Sequence, residues 1–418
     1  MKLDIKNSFD ALANTQFRLL WISSLSSMTS FFMYVVIQSI VAFELTGQNS
    51  SVGLVMIGQG LAMTFLGPIG GAVADRVSKK YINLISQSIM TYVFLANGTL
   101  LLLDVLQLWH LIVNSFVLGV ASSFMMPARQ GWVVEIVPTQ LRGNAIALSQ
   151  VALNATRIWA PAIGGLMISA AYFGAAGAYY AMAGFNIIGV IIMLVLPNTK
   201  AMGHKEGESI LAGVKSGIVY LRQEPRLGWM MIFFFLMIMI GMSSVTALPG
   251  LLENELSSSA REFGILQAIT AVGGLAASLA VAGYAASKQA LNIYSTGAAL
   301  MGIAIIFTGL SPSYAIVIIP VLLTGVGMGM FQTLNSAIIA IDCDPKFFGR
   351  VSSLIGMSFA AFMLIGWPVG YLADRAGERV AFVVMGSLVL IGVAILTRII
   401  SRTVAPTRIS VAADVVVS

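Results

Sequence analysis

Apolar residues run through this chain in twelve long stretches separated by short polar breaks. The stretches lie near residues 17–43, 51–74, 81–103, 109–128, 141–171, 175–196, 228–252, 263–284, 290–310, 314–340, 351–373 and 380–400. Each is long enough for a membrane-crossing helix, which takes roughly 20 mostly apolar residues. The runs are continuous, unlike the alternating ten-residue strands of a membrane barrel. A helix also pairs every backbone N–H and C=O within itself, as lipid requires. The pattern predicts an all-α membrane protein with twelve transmembrane helices.

Composition agrees, at 58% hydrophobic and only 10% charged residues. A soluble domain carries about 25% charged residues. The net charge of +6 would suggest nucleic acid in a soluble protein, but its distribution assigns it to topology. With the N-terminus in the cytoplasm, nineteen of the 23 Lys and Arg residues fall in cytoplasmic segments. That bias places both termini in the cytoplasm and the chain in the plasma (inner) membrane. The first sixteen residues are mixed polar, and the run after them is too long for a cleaved signal. Cys343 has no second cysteine to pair with, and His110 and His204 lack companions at metal-ligand spacing. No metal or other cofactor is expected, and nucleic acid is not an expected partner.

The longest polar interruption, Pro197 to about Arg226, separates six runs from six. It predicts a bundle over 1–196, a cytoplasmic linker over 197–227, a second bundle over 228–402 and a tail over 403–418. Within the linker, Ser209–Arg222 reads as an amphipathic surface helix, either a tether between the halves or, as preferred here, a plain solvated linker. The halves also repeat. Arg142-Gly143 is followed by Pro161, Gly164 and Gly165, and Gly349-Arg350 by Pro368 and Gly370. The end of the second run, Gly71 to Arg76, matches Gly283 to Lys288, with Ser287 in place of Asp75. Two pseudo-symmetric six-helix bundles with a midplane site are the architecture of alternating-access transporters.

The segment Gly71-Ala-Val-Ala-Asp75-Arg76-Val-Ser-Lys79-Lys80 resembles the cytoplasmic signature loop of the major facilitator superfamily. The resemblance in helix number and repeat covers the whole chain, and Ser78 departs from the usual glycine. It implies a conformational latch. Gly71 would allow close helix packing, Asp75 would sit at a helix N-terminus, and Arg76, Lys79 and Lys80 would pair with acids or lipid phosphates. Arg129 is the proposed charged neighbour of Asp75. A second element, Thr156 to Gly165, resembles the Gly-Pro-x-x-Gly-Gly segment of the exporting antiporters, with Ala160 replacing the first glycine. Pro161, Gly164 and Gly165 would then seal the outer end through a bent, closely packed helix pair. Shorter strings, including Phe17-Arg-Leu-Leu-Trp21 and Gly349-Arg-Val-Ser-Ser-Leu354, are similar to the macrolide-efflux and catecholate-siderophore exporter subgroup.

Arg157 falls halfway along the fifth run, with Asn154 one turn before it. A guanidinium at the bilayer centre costs at least ~2.5 kcal/mol by insertion scales, so it faces a wet cavity or a partner. Either it contacts a polar or anionic substrate, or it is a hydrogen-bond hub for helix-end carbonyls. The other mid-span polar candidates are Tyr34, Gln38, Gln267, Gln332 and Asn335, with Asn114 and Ser243 as further members. Phe31, Phe331 and Phe359 would add apolar walls. No Asp or Glu lies deep in any run, which leaves Glu44 and Glu253 as rim candidates for proton coupling. H⁺ as the driving ion is implied by the resemblance.

These readings converge on a monomeric secondary transporter, surrounded by lipid, that exports an amphipathic small molecule by proton antiport. Multidrug efflux and export of a siderophore or other anionic metabolite both remain open, and import is a further alternative. A sensor or enzyme on the same scaffold is the alternative of another class. No nucleophile–base pair, metal cluster or phosphate loop supports it, so no enzymatic activity is expected.

Overall fold

The computed structural model describes residues 5–170, 174–198, 210–285, 287 and 289–403, and the side chains of 25 residues in that range, Asp75 and Phe359 among them, lie outside the description. A 3-10 turn, Ile5–Ala13, leads into α1 (Thr15–Glu44), α2 (Asn49–Arg76), α3 (Lys79–Leu102), α4 (Leu108–Ile136), α5 (Arg142–Ser169) and α6 (Gly174–Val195). Then come α7 (Ile210–Gln223), α8 (Pro225–Met242), α9 (Ser244–Gly250), α10 (Ala260–Val281) and α11 (Ala290–Leu310). The chain closes with α12 (Tyr314–Asp342), α13 (Pro345–Ala376) and α14 (Glu378–Thr403). Among the described residues there is no strand.

Eleven described stretches are long and apolar enough to cross a membrane, and one of them, Pro225–Glu255, joins α8 and α9. The 32-residue α13 is the remaining long helix, so each of the twelve apolar runs meets a helical segment. The seventh run differs from its uninterrupted appearance in sequence. It breaks at Ser243, whose hydroxyl donates to the Met239 carbonyl at 2.5 Å and to the Phe362 carbonyl at 3.2 Å. A serine bonding back to the preceding turn bends a helix. Pro249 then withholds a donor, and the run ends in a π turn, Leu251–Glu255.

Two compact units divide the chain, residues 1–207 with 258–268 and residues 208–257 with 269–418. In the first, α1 packs on α5 and α6, α3 on α4 and α6, and α2 on α4. In the second, α8 packs on α13 and α14, and α11 on α12 and α14. These pairings follow one scheme, so the repeat seen in the motifs extends to the folding of each unit. Lipid offers no hydrophobic drive between helices, and small residues let backbones approach instead. A Cβ on Gly119 of α4 would lie 2.7 Å from the Gln59 carbonyl oxygen of α2. The matching α10–α12 contact sets Gly329 against the Gly274 carbonyl and Gly325 against that of Thr270.

The linker helix α7 is not simply solvated. It packs on α13 within the second unit. Tyr220 stacks on Phe347 with ring centroids 4.4 Å apart, and its hydroxyl accepts from the Asp344 backbone N–H at 3.0 Å. Gly217 makes room for Arg350, as a Cβ there would come 3.3 Å from the arginine's own.

Candidate functional site

Gln150, Asn154, Arg157, Pro161 and Gly165 follow one another along a single face of α5 at three- and four-residue spacing. Exposure falls along that face. Gln150 is exposed, Asn154 and Arg157 are half-buried, and Pro161 and Gly165 are buried. Backbone contact closes the buried end. A Cβ on Gly264, early in α10, would lie 2.5 Å from the Pro161 carbonyl oxygen and 2.9 Å from the Gly165 Cα. A Cβ on Gly165 would lie 3.0 Å from the Ala260 carbonyl oxygen. Glycine is therefore required on both sides of this crossing. Gly164 rests against α1, where a Cβ would sit 3.5 Å from the Met33 Cα.

The Arg157 guanidinium stands 5.5 Å from the centroid of the Phe32 ring on α1. Among the described residues that ring is its one recorded partner, and no carboxylate or hydrogen-bond acceptor meets it. Phe31 crosses Phe32 edge to face at 5.5 Å. Asn154, one turn away, accepts a long 3.5 Å bond from Gln150 Nε2. Pro161 has no N–H to give the Arg157 carbonyl, which leaves a second polar group of that residue without its helical partner. The face thus combines a cation, a carboxamide and an aromatic wall.

Tyr34 turns into the core of the first unit, 5.6 Å from the Phe94 ring and 6.5 Å from that of Tyr179. Gln38 is buried on α1, and Gln267 is half-buried on α10. In the second unit Asn335 is buried and accepts from the Tyr294 hydroxyl at 3.5 Å. Its neighbour Gln332 is half-buried with Nε2 unpartnered. Phe331 is enclosed by Phe234 and Tyr294 at 5.3 and 4.8 Å. Phe359's side chain lies outside the described residues. Asn114 donates to Asn97 at 2.5 Å.

Around the α2–α3 corner the charges are arranged more tightly than their spacing suggests. Lys79 is buried and pairs with Glu135 of α4 at 2.5 Å. Gly131 gives it passage, since a Cβ there would lie 2.6 Å from Lys79 Cε. Lys80 donates to the Leu194 and Leu196 carbonyls at 3.0 and 2.5 Å, at the end of α6. Arg76 is exposed. Arg129 is fully enclosed and reaches Ser27, Asn83 and Gln87, all neutral. Asp75, its expected neighbour, has its side chain outside the described residues. A Cβ on Gly71 would meet nothing within 4 Å. The close approach of α2 to α4 inside the first unit is made by Gly70, which faces the Ser123 carbonyl directly.

Glu44 and Glu253 are exposed. Among the described residues of the first unit, Glu135 is a largely buried carboxylate, its side chain 9% exposed, and its place near a helix end concealed it. A lone acid in the apolar segment Trp132–Val137, with Gly131 before it, was the available signal.

Residues 20–366 and 242–414 match the Major Facilitator Superfamily. An uncharacterized MFS-type transporter, YfiS of Bacillus subtilis, is 27% identical over 92% of this chain and 92% of its own. Macrolide efflux protein A of Streptococcus pyogenes is 21% identical, covering 85% of this chain and 89% of its own length. The staphyloferrin A transporter of Staphylococcus aureus is 24% identical, over 82% and 86%. The fold is shared with the nucleoside transporter NupG (TM-score 0.74, 13% identity, 92% of this chain and 98% of that one). It is shared too with a bacterial homolog of the human lysosomal transporter Spinster (TM-score 0.76, 12% identity, 91% and 95%).

Proposed function

This chain belongs to the major facilitator superfamily, and from that premise we propose that it exports amphipathic small molecules by alternating access, as a proton antiporter. Membership makes it a multi-pass membrane transporter and not an enzyme. The observation that carries the finer reading is Arg157. A half-buried guanidinium packed on Phe32, with no described acceptor, is an anchor for the polar or anionic end of a ligand. Asn154 adds a hydrogen bond, and the aromatic wall takes the apolar part. Gln267 and Gln332, both half-buried, are the further contacts we assign to substrate. Tyr34, Gln38 and Asn335 support their units from within.

The macrolide efflux relative favours a drug-like substrate. The staphyloferrin A transporter, together with the lack of an acceptor for Arg157 among the described residues, favours an anionic siderophore or metabolite. For proton coupling we assign Glu135, since it is the buried partner of Lys79 and the rim acids Glu44 and Glu253 are exposed. Asp75, Arg76, Lys79, Lys80 and Arg129 form the latch on the cytoplasmic side, with Pro161, Gly164 and Gly165 packing the outer gate. The protein works as a monomer, with both termini in the cytoplasm.

Growth inhibition of an expressing strain by neutral drugs and by anionic chelators, with and without an uncoupler, tests this reading. Protection should disappear with the uncoupler. Arg157→Gln should abolish protection against anionic compounds and largely spare neutral ones. Undiminished protection against both by Arg157→Gln would remove the substrate assignment.

A further inference from the structure

The interior of the first unit carries polar side chains on nearly every turn, along a line separate from the α5 face. At one end Glu135 Oε1 holds Lys79, and Oε2 has no partner among the described residues. A turn along α3, Asn83 donates to the Lys79 carbonyl at 2.8 Å and accepts from Arg129 Nε at 3.3 Å. Arg129 also donates to the Ser27 hydroxyl of α1 and, at 3.4 Å, to Gln87 Oε1, a further turn along α3. Level with Arg129 and beyond it, the line runs between α1 and α6. Ser23 donates to the Gly189 carbonyl at 3.3 Å, and Ser30 to the Met182 carbonyl at 3.0 Å. Asn186 donates to that same Met182 oxygen at 3.2 Å. The far end is the Tyr34–Tyr179 pair and the Asn97–Asn114 pair.

At the Arg129 contacts and beyond them, five buried polar atoms have no hydrogen-bond partner among the described residues. They are Gln87 Nε2, Asn186 Oδ1, Asn97 Nδ2 and the hydroxyls of Tyr34 and Tyr179. Their residues are at most 1% exposed. Buried polar groups in native proteins are satisfied by protein or by ordered water, and orphaned groups carry the full desolvation cost. The set mixes donors, acceptors and hydroxyls that do both, which is what bridging waters need. Asn186 and Tyr179 lie two turns apart on α6, Gln87 and Asn97 about three turns apart on α3, and Tyr34 on α1 stands beside Tyr179.

We infer that a file of ordered waters threads the first unit between α1, α3, α4 and α6, from Glu135 to Asn97, and that Arg129 is the fixed charge that stops protons running along it. Hydrogen-bonded water relays protons readily, and a buried guanidinium raises an electrostatic barrier to them. The ionisable groups facing the file, among the described residues, are Glu135 and Arg129 from α4, Lys79 from α3, Tyr34 from α1 and Tyr179 from α6. A transporter driven by an ion gradient does not tolerate a standing leak, so a hydrated core needs such a barrier. The inference is independent of which substrate meets Arg157.

The test uses the full-length protein in liposomes of phosphatidylethanolamine and phosphatidylglycerol. Valinomycin and a potassium gradient drive proton influx, read by an enclosed pH dye. Wild type should match protein-free liposomes. Arg129→Gln should raise influx about tenfold, the effect of lowering a barrier by roughly 1.4 kcal/mol. Arg129→Lys, which keeps the charge, should stay tight. Adding Asn186→Leu to Arg129→Gln should plug the file and restore the low rate. A folded Arg129→Gln protein with wild-type influx, or an equal leak in Arg129→Lys, overturns the proposal. Should Arg129→Gln fail to fold, radiolytic hydroxyl labelling of the wild type decides. Tyr34 and Tyr179 should label at rates approaching that of exposed Tyr284, through water beside them. Protection equal to that of Phe94 overturns the file.

Discussion

Lys79 and Glu135, 56 residues apart in sequence, meet across α3 and α4 with nitrogen and oxygen 2.5 Å apart and both side chains less than a tenth exposed. Removing one partner of a buried pair strands the other charge, at a cost of about 3–5 kcal/mol, whereas replacing both by apolar groups is often nearly neutral. Lys79→Met and Glu135→Gln should therefore each lower the thermal midpoint of the purified protein markedly. Lys79→Met/Glu135→Met should recover most of the loss. Thermal unfolding in detergent checks this, and single variants as stable as wild type would show that the pair contributes nothing.

How much of this arrangement can be read from the chain follows from physics. Lipid forces long uninterrupted apolar helices, so twelve crossings and the two-fold repeat are legible directly. Helical period shows which residues share a face but not which way that face turns. Tyr34 and Asn335, polar and mid-span, look like cavity residues from period alone, and packing against Phe94 and Tyr294 turns them inward. The signature loop announces its basic residues, while their acceptors lie on distant helices, at Glu135 and at the Leu194 and Leu196 carbonyls. Gly70 and Gly71 are equivalent in composition, and only the rotation of α2 decides which one meets Ser123. The break at Ser243 is hidden because its cause, the Phe362 carbonyl, comes from another helix.

The α5–α10 crossing gives a second prediction. A methyl group on Gly264 would come within 2.5 Å of the Pro161 carbonyl oxygen. Backbone cannot yield there as a flexible side chain would, so Gly264→Ala should cost about 1–3 kcal/mol through overpacking. Gly184→Ala on α6, where a Cβ meets nothing within 4 Å, should be neutral or stabilising by up to about 1 kcal/mol through helix propensity. Thermal midpoints that move together for the two variants would contradict the close crossing.

Cys343 offers a chemical readout of the α7 contact. Burial pushes its thiol above the usual range, and the hydrogen bond with Tyr220 acts the opposite way. The thiolate is the reactive form, so maleimide should label Cys343 slowly at neutral pH and faster as pH rises. Tyr220→Phe removes the bond that favours the thiolate while keeping the stack on Phe347, and labelling should slow further. Tyr220→Ala removes the covering ring too, so labelling should accelerate. Mass-spectrometric labelling rates across pH separate the variants, and a shared direction of change would argue against the packed arrangement.

Phe32 and Arg157 supply the last prediction. A guanidinium over an aromatic face gains about 0.5–1 kcal/mol at an exposed site and about 2 when desolvated. Arg157 is half-buried, 5.5 Å from the ring centroid, so Phe32→Leu should remove an effect between those limits. The guanidinium keeps its charge in that variant and loses its fixed position. Protection against anionic compounds should therefore weaken without vanishing, by roughly three- to thirty-fold on the same energy scale. Arg157→Gln should abolish it. Dose–response curves for the two variants check this ranking, and an unaffected Phe32→Leu strain would mean that the ring does not position Arg157 at all.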